Sequence, residues 1–433
     1  MNQIAPWAIA SKPEWRRLRI RRVGSTASGS GFPPILQGRT GLELPFYKVK
    51  HLGQADSLGR LAEPDDSIDF ETAAELGATV FPAGTLVYAK VGAALMLGRV
   101  RTLPQPACLD NNMAGLIPNP AIDSRFLFWA MSQIKFDYLV NPGAVPSLSD
   151  RNLLDYPLLV PSVPEQRAIA DFLDRETARI DTLIEEQQRL IEMLRERRAG
   201  VIAEAVTRGI DVGVPASTKI EWLGPTPTHW RVGKVKHCGD VTLGKMLQSV
   251  DSGSDVYAPY LRAANVQPDG ALHEDDVKEM WFSVAELASL NLLRGDVVVV
   301  EGGVGGYGRA AYLDHDLDGW GFQNSINRIR PHEGADGRYI AYFLIMARAK
   351  GFIEAYCNVV SMPHLTAEKL NSLRMPIPTL DEQQRIANYL DEQTFKIDRL
   401  IAETEQFIQL ARERRAALIT AAVTAQIDVQ RAA

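Results

Sequence analysis

One stretch of this chain occurs twice. EQRAIADFLDRETARIDTLIEE, beginning at Glu165, returns 217 residues later as EQQRIANYLDEQTFKIDRLIAE from Glu382, with about half the positions identical. The same offset pairs RERRA at Arg195 with RERRA at Arg412, and AVTRGIDV at Ala205 with AVTAQIDV at Ala422. Backwards it matches Pro161 to Pro378, Leu148 to Leu365 and Pro146 to Pro363, and a near-equal spacing relates Trp15 to Trp230. Upstream of these matches the halves diverge. A repeat of this length constrains the fold before any single motif does, because each copy must be a unit that recurs.

Within each copy the periodicity is helical. Leu173, Thr177, Ile180, Ile184, Gln187, Ile191, Leu194, Arg198, Val201 and Ala205 follow 4-3 spacing. So do Leu390, Thr394, Ile397, Ile401, Thr404, Ile408, Ala411, Arg415, Leu418 and Ala422. This is a heptad seam with charged flanks. At 1.5 Å per residue, about 40 residues make a rod of roughly 60 Å. A rod must bury its stripe, and the obvious partner is the other copy, as an antiparallel pair with a globular unit at each end. The expected division is a globular domain at 1–160, a helix at 161–212, a second globular domain at 213–377 and a second helix at 378–433. The globular parts read as mixed α/β. Strand-like runs GDVVVVEGG from Gly295, RAAYLD from Arg309 and INRIRP from Ile326 precede an amphipathic helix from Arg338. TLVYAKVG from Thr85 and FLFWAMSQIKFDYL from Phe126 stand in the same order in the first half.

Composition excludes several classes. Among 433 residues 46% are hydrophobic, so wholesale disorder is excluded, and no apolar run reaches the roughly 18 residues of a membrane span. The N-terminus lacks an apolar core with a cleavage site, which makes the cytoplasm the expected compartment. Cys108, Cys238 and Cys357 are far apart and form neither a CxxC pair nor a metal cluster. The net charge of −6 opposes nucleic-acid binding on average. Residues 1–160 nevertheless sum to about +2, and screening makes each phosphate sense charges within about 10 Å.

Catalytic patterns fail on inspection. GGVGGYG at 302–308 has G-x-G-x-x-G spacing but leads into a strand, where phosphate binding needs a helix start. GDVTLGK at 239–245 lacks the hydroxyl residue of a phosphate loop, since Met246 follows. Pro268, Asp269, Asp276 and Lys278 fit a loose nuclease pattern that an exposed acidic turn also satisfies. No D/N-P-P-Y/F tetrapeptide for adenine methylation occurs, and the seven histidines are dispersed.

Two dissimilar domains, each followed by a repeated helix that opens P-x-x-x-E-Q and carries I-D-x-L-I, resemble the specificity subunit of type I restriction-modification systems. The likeness extends to PEWRRLRI from Pro13 and THWRVGKV from Thr228, to LPFYKVKHLG from Leu44 beside APYLRAANV from Ala258, and to GFQNSINRIRP from Gly321. VGAALMLGRV from Val91 and LDNNMAGLIP from Leu109 depart from the pattern of the second half. The resemblance implies a non-catalytic, α/β (α+β) subunit whose two target-recognition domains read the halves of a bipartite site in double-stranded DNA. The paired helices would set the gap between the halves. It also implies two adenine-N6 methyltransferase subunits and a restriction and translocation subunit as partners, which carry the S-adenosylmethionine, ATP and Mg²⁺. No membrane role follows.

Sequence-specific binding needs phosphate contacts for register and side chains that reach base edges. The candidates in the first domain are Arg16, Arg17, Arg19, Lys48, Lys50, His51, Lys90, Arg99, Asn111 and Asn112. In the second they are Lys245, Gln248, Arg262, Asn265, Arg309, Gln323, Asn324 and His364. Arg195, Arg198, Arg412 and Arg415 of the twin RERRA segments are candidates for docking the methyltransferase subunits. The competing readings are a self-contained nuclease or methyltransferase, and a coiled-coil adaptor with no role on DNA.

Overall fold

Both repeat segments fold as single long helices, Val163–Arg208 and Leu380–Val423. Pro164 sits in the first turn of one, where a missing N–H costs nothing, and Glu165, Asp381 and Glu382 place carboxylates at the positive ends of the helices. Every seam position named above is buried or half-buried. The threonines that interrupt the apolar stripe turn their hydroxyls back onto their own helix: Thr177 donates to the Leu173 carbonyl at 2.6 Å and Thr394 to that of Leu390 at 2.8 Å.

The structure, a computed structural model, describes residues 12–141, 143–303, 306–357 and 364–429. Pro363 of the repeat match, Val304 and Gly305 of the glycine run, and the first eleven residues lie outside them. By contacts the chain falls into two units, Met1–Arg189 with Glu405–Ala433, and Leu190–Thr404. Each unit therefore holds one globular module with part of each long helix, a division that cuts through the helices rather than at their ends. Within the first unit Ile169 and Leu173 share a core with Ile419, Ala422 and Val423. Within the second, Ile202, Ala205 and Val206 share one with Ile386 and Leu390. Early residues of one helix thus meet late residues of the other, which is antiparallel packing in both units.

The modules have the same topology although their sequences diverged. In the first, strands Gly24–Ser28, Met113–Pro118, Leu86–Ala89 and Val100–Thr102 lie side by side in that order, all antiparallel. In the second, Gly239–Leu243, Ile326–Pro331, Val297–Val300 and Ala310–Tyr312 repeat the arrangement. A three-stranded sheet follows the same rule, one antiparallel and one parallel neighbour: Ser67–Ile68, Leu44–Tyr47 and Cys108–Leu109 against Lys278–Phe282, Val256–Leu261 and Gly321–Phe322. A two-stranded ladder, Arg16–Arg19 with Pro157–Val160 or Arg231–Lys234 with Arg374–Ile377, delivers the chain to each long helix.

The unbroken apolar run Val297–Val300 is explained by its position. Val297 and Val299 enter the core under the helix Gly337–Ala349, while Val298 and Val300 enter a second core with Phe282 and Phe322. Successive side chains on a strand point to opposite faces, and here both faces are covered. The helix expected from Arg338 is two helices, Gly337–Ala349 and Phe352–Cys357, broken where Gly351 takes φ +72°. The divergent VGAALMLGRV forms a short helix, Ala93–Met96, between its paired strands, and among the described residues the small ladders Val140–Asn141 with Ser147–Leu148 and Ala216–Ile220 with Gly224–Pro227 each occur in one module only.

The near-miss phosphate loop GDVTLGK is a strand with a packing requirement at each end. A Cβ on Gly239 would lie 2.7 Å from the Arg330 carbonyl oxygen, and one on Gly244 would lie 2.3 Å from that of Gln323. Gly24 and Gly29 hold the same places in the first module, at 2.5 Å from the Ile117 oxygen and 2.0 Å from the Asp110 oxygen. These glycines let neighbouring backbones touch. Gly244→Ala should accordingly cost about 1–3 kcal/mol or more, seen as a lowered urea midpoint, whereas Gly31→Ala, whose Cβ meets nothing within 4 Å, should change stability by less than about 0.5 kcal/mol.

Candidate nucleic-acid interface

The repeat is conserved between the two copies because it bolts each module to the helices. Gln166 and Gln383, the glutamines of the E-Q pair, are each 1% exposed. Gln166 accepts from the Asp123 N–H at 2.8 Å and donates to the Pro161 carbonyl at 3.0 Å. Gln383 accepts from Asp336 N–H at 3.0 Å and donates to Pro378 at 2.9 Å. Asp123 and Asp336 in turn cap the module helices Ser124–Met131 and Gly337–Ala349. About two turns further along the long helix, the Trp129 indole donates to Asp174 at 2.8 Å and Arg125 to the same carboxylate at 3.1 Å. In the second unit the Tyr342 hydroxyl and Arg338 hold Asp391 at 2.7 and 2.8 Å. The aromatic donor has changed and the contact has not.

In the twin RERRA segments Arg198 and Arg415 are engaged within the fold. Arg415 pairs with Asp181 at 2.8 and 3.1 Å, lies over the Trp129 ring, and reaches the Ser57 carbonyl. Arg198 pairs with Asp398 at 2.9 Å and donates to the Asp269 carbonyl at 3.0 Å. Asp398 and Arg415 are Asp181 and Arg198 carried forward by the repeat, so each unit holds the same ion pair with its members exchanged. Both arginines are seam residues that tie helix to helix and helix to module, and they are largely turned inward. Arg195 and Arg412 remain on exposed helical positions.

At one end of each four-stranded sheet, polar turns converge. In the first module Asp110 is the clip. Its carboxylate accepts the Asn112 N–H at 2.8 Å and the Val49 N–H at 3.2 Å, joining the turn with Asn111 and Asn112 to the 3-10 turn Val49–Gly53. Lys90 joins the group through its N–H to the Asn112 carbonyl at 2.9 Å and its ammonium to the Ser28 hydroxyl at 3.0 Å. Arg99 lies over Gly53, close enough that a Cβ there would meet its guanidinium at 3.2 Å. In the second module the turn with Gln323 and Asn324 receives Ala263 N–H on Ser325 Oγ at 3.3 Å, and Asn324 N–H meets the Lys245 carbonyl at 2.8 Å. His364 stands against Gly302 beside the same edge.

Several expected contact residues are spoken for. His51 and Asn265 are each 2% exposed and hold equivalent turns, accepting the N–H of Lys48 and of Arg262 at 2.9 Å. A strand that ends in a tight turn leaves that N–H without a ladder partner, and these side chains supply one. Both side chains are engaged in capping their turns. Gln248 orders its own loop, donating to Val250, Ser252 and Asp255. Lys48 pairs with buried Asp66 at 2.7 Å, Lys50 with Asp65, Arg262 with Asp276, and Lys245 with Glu286. Arg309 reaches the Val266 carbonyl at 3.3 Å. Arg16, Arg17 and Arg19 lie on the separate two-stranded ladder, exposed, with Arg19 and Arg21 both on Asp155. The side chains brought together and facing solvent at least in part are Lys90, Arg99, Asn111 and Asn112 in one module, and Gln323, Asn324 and His364 in the other.

The carboxylates of the loose nuclease pattern do not converge on an ion: Asp276 is held by Arg262, and Asp269 accepts the Ala271 N–H of its own turn. Among the described residues no group of three metal-ligating side chains occurs, and no helix is long and apolar enough to cross a membrane. Burial pushes the Cys108 and Cys238 thiols up to about 11. Both are free thiols buried within the fold.

Two copies of a mixed α/β module, each bolted to an antiparallel pair of helical segments and presenting a polar sheet edge, define a duplicated recognition scaffold. The chain belongs to the family described as type I restriction modification DNA specificity domain, which matches residues 44–193 and 227–408. Among curated proteins it is 24% identical over 302 residues to the type I restriction enzyme MjaVIII specificity subunit of Methanocaldococcus jannaschii, covering 65% of each chain. To the StySPI specificity subunit of Salmonella potsdam it is 25% identical over 208 residues, covering 46% of this chain and 44% of that protein. The chain thus spans less than two thirds of these relatives' lengths. Its fold is that of a chain solved in a study of complex assembly and conformational transition of the type I R-M system, with TM-score 0.71, 15% identity and coverage of 95% and 98%. The HsdS subunit from Thermoanaerobacter tengcongensis shares it at TM-score 0.56, 14% identity and coverage of 96% and 98%.

The seam ion pair should be measurable. A double-mutant cycle with Arg415→Met and Asp181→Asn, followed by urea unfolding, should return a coupling of about 1 kcal/mol or more, since the pair is only partly exposed. A second test concerns acid. Lys245 holds the Glu286 carboxyl below its ordinary range, helped by the Ser283 N–H. A depressed carboxyl stabilises above its unfolded value and stops doing so as pH falls through its folded one. The loss of thermal midpoint caused by Glu286→Gln at neutral pH should therefore shrink below about pH 4.

Proposed function

We propose that this chain is the non-catalytic specificity subunit of a type I restriction-modification complex. Each module reads one half of a bipartite site in double-stranded DNA, and the two long helices set the number of unread base pairs between the halves. The observation that carries this reading is the duplication of the mount. Two modules with divergent turns, but the same topology and the same glutamine, carboxylate and arginine anchors, are what reading two different half-sites from one scaffold requires. Half-sites read from one face of DNA lie about one helical turn, roughly 34 Å, apart, and helices of 46 and 44 residues are long enough to impose such a gap.

The partners in this reading are two adenine-N6 methyltransferase subunits and a restriction and translocation subunit, which bring S-adenosylmethionine, ATP and Mg²⁺. Arg195 and Arg412, exposed at equivalent helical positions, are the members of the RERRA pair suited to docking a methyltransferase. Phosphate contacts fall to the exposed Arg16 and Arg17 of the arginine strand, and base contacts to the converged turns. Binding by the assembled complex should weaken steeply with salt, as counterion release requires. A purely structural adaptor, tested as the chain alone, would show no such dependence.

Methylome mapping of the host with and without this chain should reveal a gapped motif methylated at adenine that depends on it. Inserting one heptad after Gln187 should lengthen the unread gap while both half-sites keep their bases. A folded insertion variant with an unchanged gap would falsify the spacer role.

A further inference from the structure

One position in the converged turns differs between the modules in a way that backbone geometry does not. Lys90 follows the central strand of the first module. Its N–H bonds the Asn112 carbonyl at 2.9 Å and its carbonyl accepts the Leu148 N–H at 2.8 Å. Glu301 follows the central strand of the second. Its N–H bonds the Ser325 carbonyl at 2.8 Å and its carbonyl accepts the Leu365 N–H at 2.8 Å. Leu148 and Leu365 are themselves a repeat pair, so the two residues occupy the same place. The turn cap close by keeps its job in both modules, since His51 and Asn265 accept equivalent N–H groups. Here a cation is exchanged for a carboxylate.

We infer that this position is a specificity determinant in each module: Lys90 donates to a base edge that offers acceptors, as guanine O6 and N7 do, and Glu301 accepts from an exocyclic amino group, as on cytosine. The inference rests on the proposed reading of DNA and names the residue by which the two half-sites differ. Both side chains are half-buried, beside exposed Asn111 and Asn112 in one module and half-buried Gln323 and Asn324 in the other. Lys90 is steadied by Ser28 Oγ, and Glu301 by the Asn327 amide at 3.1 Å, which leaves the second carboxylate oxygen to accept from a base. Partial burial sharpens discrimination, because a mismatched base leaves a charged group without a partner where water is scarce. The same burial raises the Glu301 carboxyl above its ordinary range, with Asn327 and His364 acting against the rise. The neighbouring cations Lys245 and Arg262 are held by Glu286 and Asp276 and are less suited to the task.

The test uses the full chain, copurified from its host with its partner subunits, and selects from a pool of duplexes with randomised sequence. Glu301→Gln keeps the shape and replaces one acceptor with a donor, and Lys90→Met removes the charge at similar length. Each should change preference at a single base position by about 5- to 150-fold, the size of one good base contact, and each in a different half-site. All other positions should be unchanged. If the native complex selects no gapped motif, the reading of the chain as a DNA-specificity subunit fails. If it does, but either variant keeps the native base preference or weakens all sequences equally, the assignment of this position is overturned while that reading stands.

Discussion

An isolated helix of more than forty residues with a mostly apolar stripe is not stable in water, and nothing in this molecule holds until that stripe is covered. The chain covers it with its own second copy. Apolar residues alone would tolerate several registers, because one leucine packs much like another. The arginine placed in each seam does not. Arg198 and Arg415 are charged groups turned inward, and such a group is costly unless a carboxylate meets it. Only one antiparallel register brings Asp398 to the first and Asp181 to the second. The ion pair therefore selects an alignment more than it adds net stability, and the same guanidinium extends to a module loop, so that each module is tied to its own helical segments.

The modules show how a topology survives when its sequence drifts. What stayed is the set of contacts with no substitute: glycines where two strand backbones touch, a buried glutamine that satisfies an N–H and a carbonyl across an irregular junction, and a carboxylate that receives an aromatic donor. Tryptophan and tyrosine both serve in that last place because each offers one polar hydrogen on a large apolar body. What changed are the turns at one sheet edge, which carry little of the packing. A scaffold that confines variation to such turns can alter what it recognises without refolding.

Charge follows the same logic. The chain is acidic overall, and many of the cations that a count would assign to DNA are occupied within the fold by Asp65, Asp66, Asp155, Asp276 or Glu286. Those pairs stiffen the turns. On the proposed reading of DNA, the fewer side chains left to contact bases are held at defined positions, which suits discrimination between bases better than a broad basic surface.

The duplication, both long helices, the seam down to its arginines, the mixed character of the modules and the failure of the catalytic motifs were all legible in the order of residues, because periodicity and self-similarity are linear properties of a chain. The equivalence of the modules was not. Strand partners lie tens of residues apart, and the shared glycines at 24 and 239, or 29 and 244, carry too little information to be aligned without the sheet. Residue type alone also did not show that His51, Asn265 and the inner arginines of RERRA are engaged within the fold, since a polar side chain looks the same whether it faces solvent or caps a buried turn. Gln166, Asp174 and Asp181 recur in the second copy and could have been singled out on that ground. Their roles, like the placement of Lys90 and Glu301 at one site, were decided by the tertiary structure, because a hydrogen bond depends on where two atoms meet and not on where their residues fall in the chain.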